Sequence, residues 1–314
     1  MVDAQADIIA RIGPLVDSHH HLWDLDANRY PWLQDRLVDA HFGDYEAIRR
    51  SYCGPDYLAD LGPIRLLASV HIEAHWDGFN DSAGETAWLD QHADRHGVPS
   101  AIVGYADLTD KGVETTLDTH MRSPRFRGVR VMTGRATAPS GAALLADDGF
   151  RRGMSAVMER GLSFDLQAPQ PIMAAAADMA DAFPDLSIIL THAGLPLDRS
   201  ASGVDAWRRG IRALAKRHNV TAKLSGLPMT DWRWSIASLR PFVEFLLMCF
   251  GADRVMFGSN FPVDGLFSSY PKLLAGYGQI VGEQGDAALD AVFRKTAARV
   301  YRLDISDPIT TPRT

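Results

Sequence analysis

The sequence predicts a single (β/α)8 barrel. Three observations predict it: about eight short apolar runs rich in β-branched residues, a helical pattern after nearly every run, and polar or ionisable residues where each run stops. Helices between successive strands imply a parallel sheet. Eight such units in 314 residues suit a closed barrel better than an open sheet.

The runs are taken in order. Residues 15–18 lead into His19, and 64–72 form the longest run. Residues 101–105, 126–132 and 162–166 follow, then 187–190, 220–224 and 254–257. Between them, residues 85–96 and 147–160 have helical periodicity and stop at Gly97 and Gly161, good C-terminal capping residues. Residues 171–183 are Ala-rich and stop before Pro184. Residues 204–218, 235–250 and 286–302 complete the helical set. Two segments break the rhythm. Residues 23–60 separate the first two strands, and 133–140 form a Gly/Thr/Ala/Pro loop after the fourth. Both follow strand C-termini, so both are expected to roof the active face. One domain is expected over residues 1–314, with its barrel at about 15–302 and a mobile tail at 306–314.

Composition narrows the function. A net charge of −7 argues against nucleic acid and against a polybasic membrane anchor. No run approaches ~18 apolar residues and no secretory signal is visible, so a cytoplasmic protein is expected. Two cysteines, Cys53 and Cys249, make neither a disulfide framework nor a Cys-rich zinc site. The expected partner is a small molecule, with homo-oligomerisation left open.

In this fold the residues at strand C-termini face the reaction site. Strand one ends in Asp17-Ser18-His19-His20-His21, and strand two in His71-Ile72-Glu73-Ala74-His75. The later ends give Asp107, Arg130, Asp165 and Gln167, His192, Lys223 and Ser225, then Ser259-Asn260. Alternation puts His19 and His21 on one face, suited to one metal ion or one substrate oxygen, with His20 pointing away. The same alternation groups His71, Glu73 and His75 as a salt-bridged rim, a ligand set or a buried base. His192 precedes Ala193-Gly194, where the chain must turn, and suits a ligand or a general base. Arg130 and Lys223 lie within apolar strands and must each meet an anion, from the protein or from a substrate. His41, His92, His96, His120 and His218 read as surface or capping residues.

Together these residues resemble the amidohydrolase superfamily, and more narrowly its lactonase-type branch (amidohydrolase 2), which includes sugar-lactone hydrolases and pyrone-dicarboxylate lactonase. The resemblance rests on Val16-Asp17-Ser18-His19-His20-His21-Leu22-Trp23-Asp24 with Arg29-Tyr30-Pro31-Trp32-Leu33. It extends through Gly128-Val129-Arg130, Leu190-Thr191-His192-Ala193-Gly194, Lys223-Leu224-Ser225-Gly226-Leu227 and Phe257-Gly258-Ser259-Asn260-Phe261-Pro262. It implies a barrel of the metal-dependent hydrolase type, hydrolysing at a carbonyl centre, commonly of lactones. It maps His19, His21 and His192 onto metal or catalytic positions and offers zero or one divalent ion, zinc first, since members of the branch do not all need a metal. Asn260 stands where the family usually has the aspartate that takes a proton from water. An amide has no useful basicity, so Asn260 can only orient water or substrate. Proton transfer then falls to His192, Glu73 or, if it reaches the site, Asp264.

The resulting expectation is a hydrolase of a small, polar, anionic lactone. The His19/His21 pair polarises its carbonyl, and Arg130, Gln167 and Lys223 bind substrate. Trp23, Tyr30 and Trp32 close the pocket. The missing aspartate supports an alternative, an isomerase, hydratase or decarboxylase on a related carboxylate. A barrel that binds a metabolite without turning it over is the third.

Overall fold

A computed structural model describes residues 2–37, 39–77, 81–133 and 138–309. Residues 134–137 of the anticipated loop and 310–314 of the tail lie outside the described residues. Eight parallel strands form one sheet in sequence order. They are β1 Leu15–His20, β2 Leu66–Ile72, β3 Ala101–Gly104, β4 Phe126–Val131, β5 Ser163–Leu166, β6 Ile188–Leu190, β7 Val220–Leu224 and β8 Val255–Phe257. The sheet curls until the segment after β8 meets β1. The Asn260 N–H donates to the His19 carbonyl (2.7 Å), and the His21 N–H donates to that of Phe261 (2.8 Å). The fold is a (β/α)8 barrel.

Burial on both faces explains the near-continuous apolar strands. Outward residues such as Phe126, Phe164, Leu190 and Leu224 pack under the helices. Val16, Ile72, Val103, Ile189 and Met256 fill the interior with Ala297 and Tyr301 from the last helix. Helix ends follow local chemistry. Asp147 caps helix Asp148–Glu159 by accepting from the Phe150 N–H, and Ser200 caps Ala201–Ala215 through the Gly203 N–H. Gly97 ends Ala83–His96 in the left-handed conformation, φ 78°.

Several elements depart from the sequence reading. Helix Val2–Ile12 buries Ile8 and Ile12 against Gly278 of helix Tyr270–Gly282. The 23–60 segment contains helix Gly54–Leu61, whose Gly54 N–H donates to His92 Nε2 at 2.8 Å. The final helix is interrupted by a π-helical turn at Ala291–Lys295. His120 is fully buried rather than on the surface. It stacks on Phe126 and bonds to Thr86 Oγ1 and the Tyr105 carbonyl.

Candidate active site

Pairing between β1 and β2 slips between Asp17 and His20. The slip sets the histidine directions. His20 stacks on Tyr57 at 4.2 Å outside the barrel, beside Asp17, which accepts from the Tyr57 and Tyr270 hydroxyls. His19 turns inward, with its ring centroid 5.1 Å from His21 and 4.5 Å from His192. Burial and neighbouring positive charge hold all three imidazoles well below the usual histidine range, so they are neutral at pH 7.

One tautomer is fixed by its partner. His21 Nδ1 lies 2.7 Å from the Ile72 carbonyl, which can only accept, so the proton is on Nδ1 and the Nε2 lone pair is free. His192 Nδ1 lies 3.1 Å from Ser225 Oγ, an oxygen that also accepts from the His192 N–H at 3.2 Å. Neither His19 nitrogen has a hydrogen-bond partner.

A cavity of about 350 Å³ opens at these strand ends. Its polar wall carries His21, Arg130, Gln167, His192 and Asn260. Trp32, Phe42, Tyr45, Met132, Met229 and Val263 make the apolar wall, and Asp39, His41 and His75 stand along the rest of the lining. His75, His192 and Asn260 all adopt left-handed backbone, φ 58°, 54° and 55°. Such conformations outside glycine concentrate at functional sites, and asparagine tolerates them best.

The strand cations bring their own counter-ions. Arg130 donates through Nε to Glu73 Oε1 (2.8 Å) and through Nη2 to the Glu73 carbonyl (2.6 Å), and among the described residues no hydrogen bond engages Nη1. Burial opposes charge on Glu73, but Arg130 and His75 overcome it and hold the carboxyl at about 2. Glu73 is therefore a counter-ion and a poor proton acceptor, and it does not line the cavity. Lys223 is fully buried on Asp165 (2.6 Å), which also accepts from the Tyr301 hydroxyl, and so reaches no substrate. Asp264 is buried behind Asn260 and accepts from its amide. Trp23 and Tyr30 lie in the core, with Trp23 Nε1 donating to the Arg50 carbonyl. Of the three anticipated aromatics only Trp32 faces the cavity. His71 turns from Glu73 toward the Leu22 N–H and Glu85. The sequence reading missed His41. Its place in the segment expected to roof the site was the available signal.

Three neutral imidazoles are donors of the right chemistry for zinc. The Ile72 carbonyl on His21 is the outer contact that metal-bound histidines commonly make. Among the described residues, however, no three His, Cys, Asp or Glu side chains converge on one point as ligands.

The whole barrel, residues 16–303, matches the family described as Amidohydrolase. The chain belongs to the amidohydrolase family. It is 41% identical to the uncharacterized protein y4mH of Sinorhizobium fredii, over 92% of this chain and 98% of that one. It is 30% identical to an L-fucono-1,5-lactonase of Burkholderia multivorans, over 92% and 96% of the two chains. A crystal structure of a B. multivorans amidohydrolase with bound zinc superposes with a TM-score of 0.80 at 26% identity, covering 93% of this chain and all of that one.

Proposed function

We propose that this amidohydrolase hydrolyses a small, uncharged, hydroxylated lactone. The observation that carries the reading is the His21 imidazole, neutral and with its Nε2 lone pair free in a cavity that also holds Arg130 and Asn260. Relatives named L-fucono-1,5-lactonase support the substrate class. The sequence suggested an anionic substrate, but Glu73 cancels Arg130, Asp165 cancels Lys223 and the histidines are neutral. With both strand cations paired by protein carboxylates, an uncharged ring fits better.

In the proposed reaction a water oxygen bonds to the ring carbonyl carbon while His21 Nε2 takes its proton. This changes the role expected of His21, because a lone pair accepts a proton and cannot donate to a carbonyl. His192 serves as acceptor only in the tautomer that donates Nδ1–H to Ser225. Arg130 Nη1 holds the oxyanion. The ring C–O bond then breaks, and the proton passes from His21 to the departing alkoxide, giving the hydroxy acid. A zinc ion on His19, His21 and His192 would compete for that same His21 lone pair, and among the described residues no three side chains converge on one point to hold it.

Purified protein assayed by acid release should turn over neutral sugar lactones at least tenfold better in kcat/KM than carboxylated pyrone lactones. His21→Gln should lose on the order of 10²–10⁴ in kcat. Folded protein that opens no lactone sinks the reading. Asn260, which cannot take a proton, favours the second reading, a proton-shuttling isomerase, hydratase or decarboxylase. NMR of the same reaction mixtures would reveal its products.

A further inference from the structure

We propose that Asp264 is a positioning residue that acts through Asn260: its carboxyl group dictates which end of the Asn260 amide faces the cavity. Asn260 lines the cavity, and its backbone is fixed on both sides. Its N–H donates to the His19 carbonyl, and its carbonyl accepts from the Asp264 N–H at 3.0 Å. What remains free is the side-chain amide, which offers a donor at one end and an acceptor at the other. Asn260 Nδ2 donates to Asp264 Oδ1 at 2.8 Å. With Asp264 ionised and Nδ2 engaged there, Oδ1 is the end left for a water or a substrate hydroxyl. The flipped amide would set two oxygens against each other.

Asp264 is fully buried and does not line the cavity. Its second oxygen accepts from the Gly226 N–H at 3.2 Å. Gly226 in turn packs on His192, since a Cβ there would lie 2.5 Å from His192 Nδ1. The carboxyl thus ties together the turns behind two residues of the polar wall. A buried carboxyl with no ion partner among the described residues is costly, and a structural role would be served more cheaply by an apolar side chain. Asn260 faces it from its own turn and Gly226 from the end of β7. The Tyr277 phenol feels its charge from helix Tyr270–Gly282, with Arg199 acting on that phenol in turn. Burial raises Asp264 to about 8. The Gly226 N–H keeps Oδ2 an acceptor, so the proton enters on Oδ1, which then donates to Asn260 Oδ1, and the amide reverses and shows its NH₂ to the cavity.

The kinetic arm of the test rests on the lactonase reading, and the spectroscopic arm does not. In protein carrying ¹⁵N-labelled asparagine, the Asn260 side-chain signal is assigned by its loss in Asn260→Ala. It should be protected from exchange and should titrate in step with the Asp264 carboxyl carbon. Asp264→Asn should abolish that titration and cut the protection at least tenfold. With a neutral sugar lactone above pH 8, Asp264→Asn should lower kcat at least tenfold with KM within about twofold, and the double variant should be no slower than Asn260→Ala alone. An Asn260 signal that ignores both Asp264 ionisation and Asp264→Asn overturns the proposal, as do rate losses that multiply in the double variant. If Asp264→Asn does not fold, the wild-type titration decides. If no lactone is opened, the lactonase reading fails while the amide signal still decides the positioning role.

Discussion

Removing the Glu73 carboxylate strands a buried guanidinium. The Arg130 side chain is 5% exposed and that of Glu73 1%. Deleting one member of a buried pair typically costs about 3–5 kcal/mol, because the survivor keeps its charge without a counter-ion. The depressed acidity of Glu73 leads to a similar figure. The Glu73 carboxyl sits at about 2 against an ordinary 4.5. At ~1.36 kcal/mol per pKa unit, ionised Glu73 contributes about 3 kcal/mol. The folded value is depressed, so this contribution is complete above pH 4.5 and is lost as pH falls toward 2. Glu73→Ala should therefore lower the urea-unfolding free energy at pH 7 by about 3–5 kcal/mol. Part of the Arg130 bonding survives through the Glu73 carbonyl, which a substitution leaves in place. Replacing both partners, as in Glu73→Leu with Arg130→Met, should restore most of the loss, since apolar pairs of similar volume often match a buried ion pair. A Glu73→Ala loss below about 1 kcal/mol, or a double variant no more stable than the single, would refute the assignment of Glu73 as the counter-ion of Arg130.

Other predictions concern pH and packing. His92 and His120, held at about 4 chiefly by burial, take up protons in the unfolded chain first. Each should remove up to about 3 kcal/mol as pH falls from 6.5 to 4, measured by urea unfolding across that range. Glu85 has the opposite sign. Burial and the Glu73 charge raise it to about 8, so its stabilisation is complete below 4.5 and is lost as pH rises through 8. Glu85→Gln should therefore gain on wild type in melting temperature as pH rises from about 5 to 8. Gly226→Ala should cut lactone turnover at least tenfold, because the residue has φ 62° and its new methyl would displace His192. Unchanged kcat would argue against a role for His192 in the reaction.

The fold was legible because burial on both faces writes itself into a parallel barrel as continuous apolar runs, and β7, Val220–Leu224, coincides with its run from end to end. That His21, Arg130, His192 and Asn260 line the cavity was legible because strand ends fix where side chains emerge. Partnerships were not. Arg130 and Glu73 lie 57 positions apart, Lys223 and Asp165 58, and register between different strands leaves no trace in one sequence. Direction was equally hidden in the 23–60 segment. Without a period of 2 or 3.6, nothing there says that Trp32 faces the cavity while Trp23 and Tyr30 face the core.

The two buried cationic pairs and the neutral histidines also bear on why Asn260 is not an aspartate. Asn260 Nδ2 is 2.8 Å from Asp264 Oδ1. Asn260→Asp would place a second carboxylate at that distance with no cation on Asp264 among the described residues, and two such groups cannot both ionise. One proton would be held between them, and the pair would titrate as a unit. Restoring the family residue alone should therefore leave hydrolysis at pH 7 no faster than in wild type. Moving the charge should work better. Asn260→Asp combined with Asp264→Asn keeps one carboxylate and one amide, now with the carboxylate on the cavity side. That variant should open lactone faster than Asn260→Asp, with the gain confined to pH values above the new carboxylate's own pKa. A single Asn260→Asp variant already faster than wild type at pH 7 would mean that Asp264 does not constrain residue 260, and that the aspartate was dispensable for a different reason.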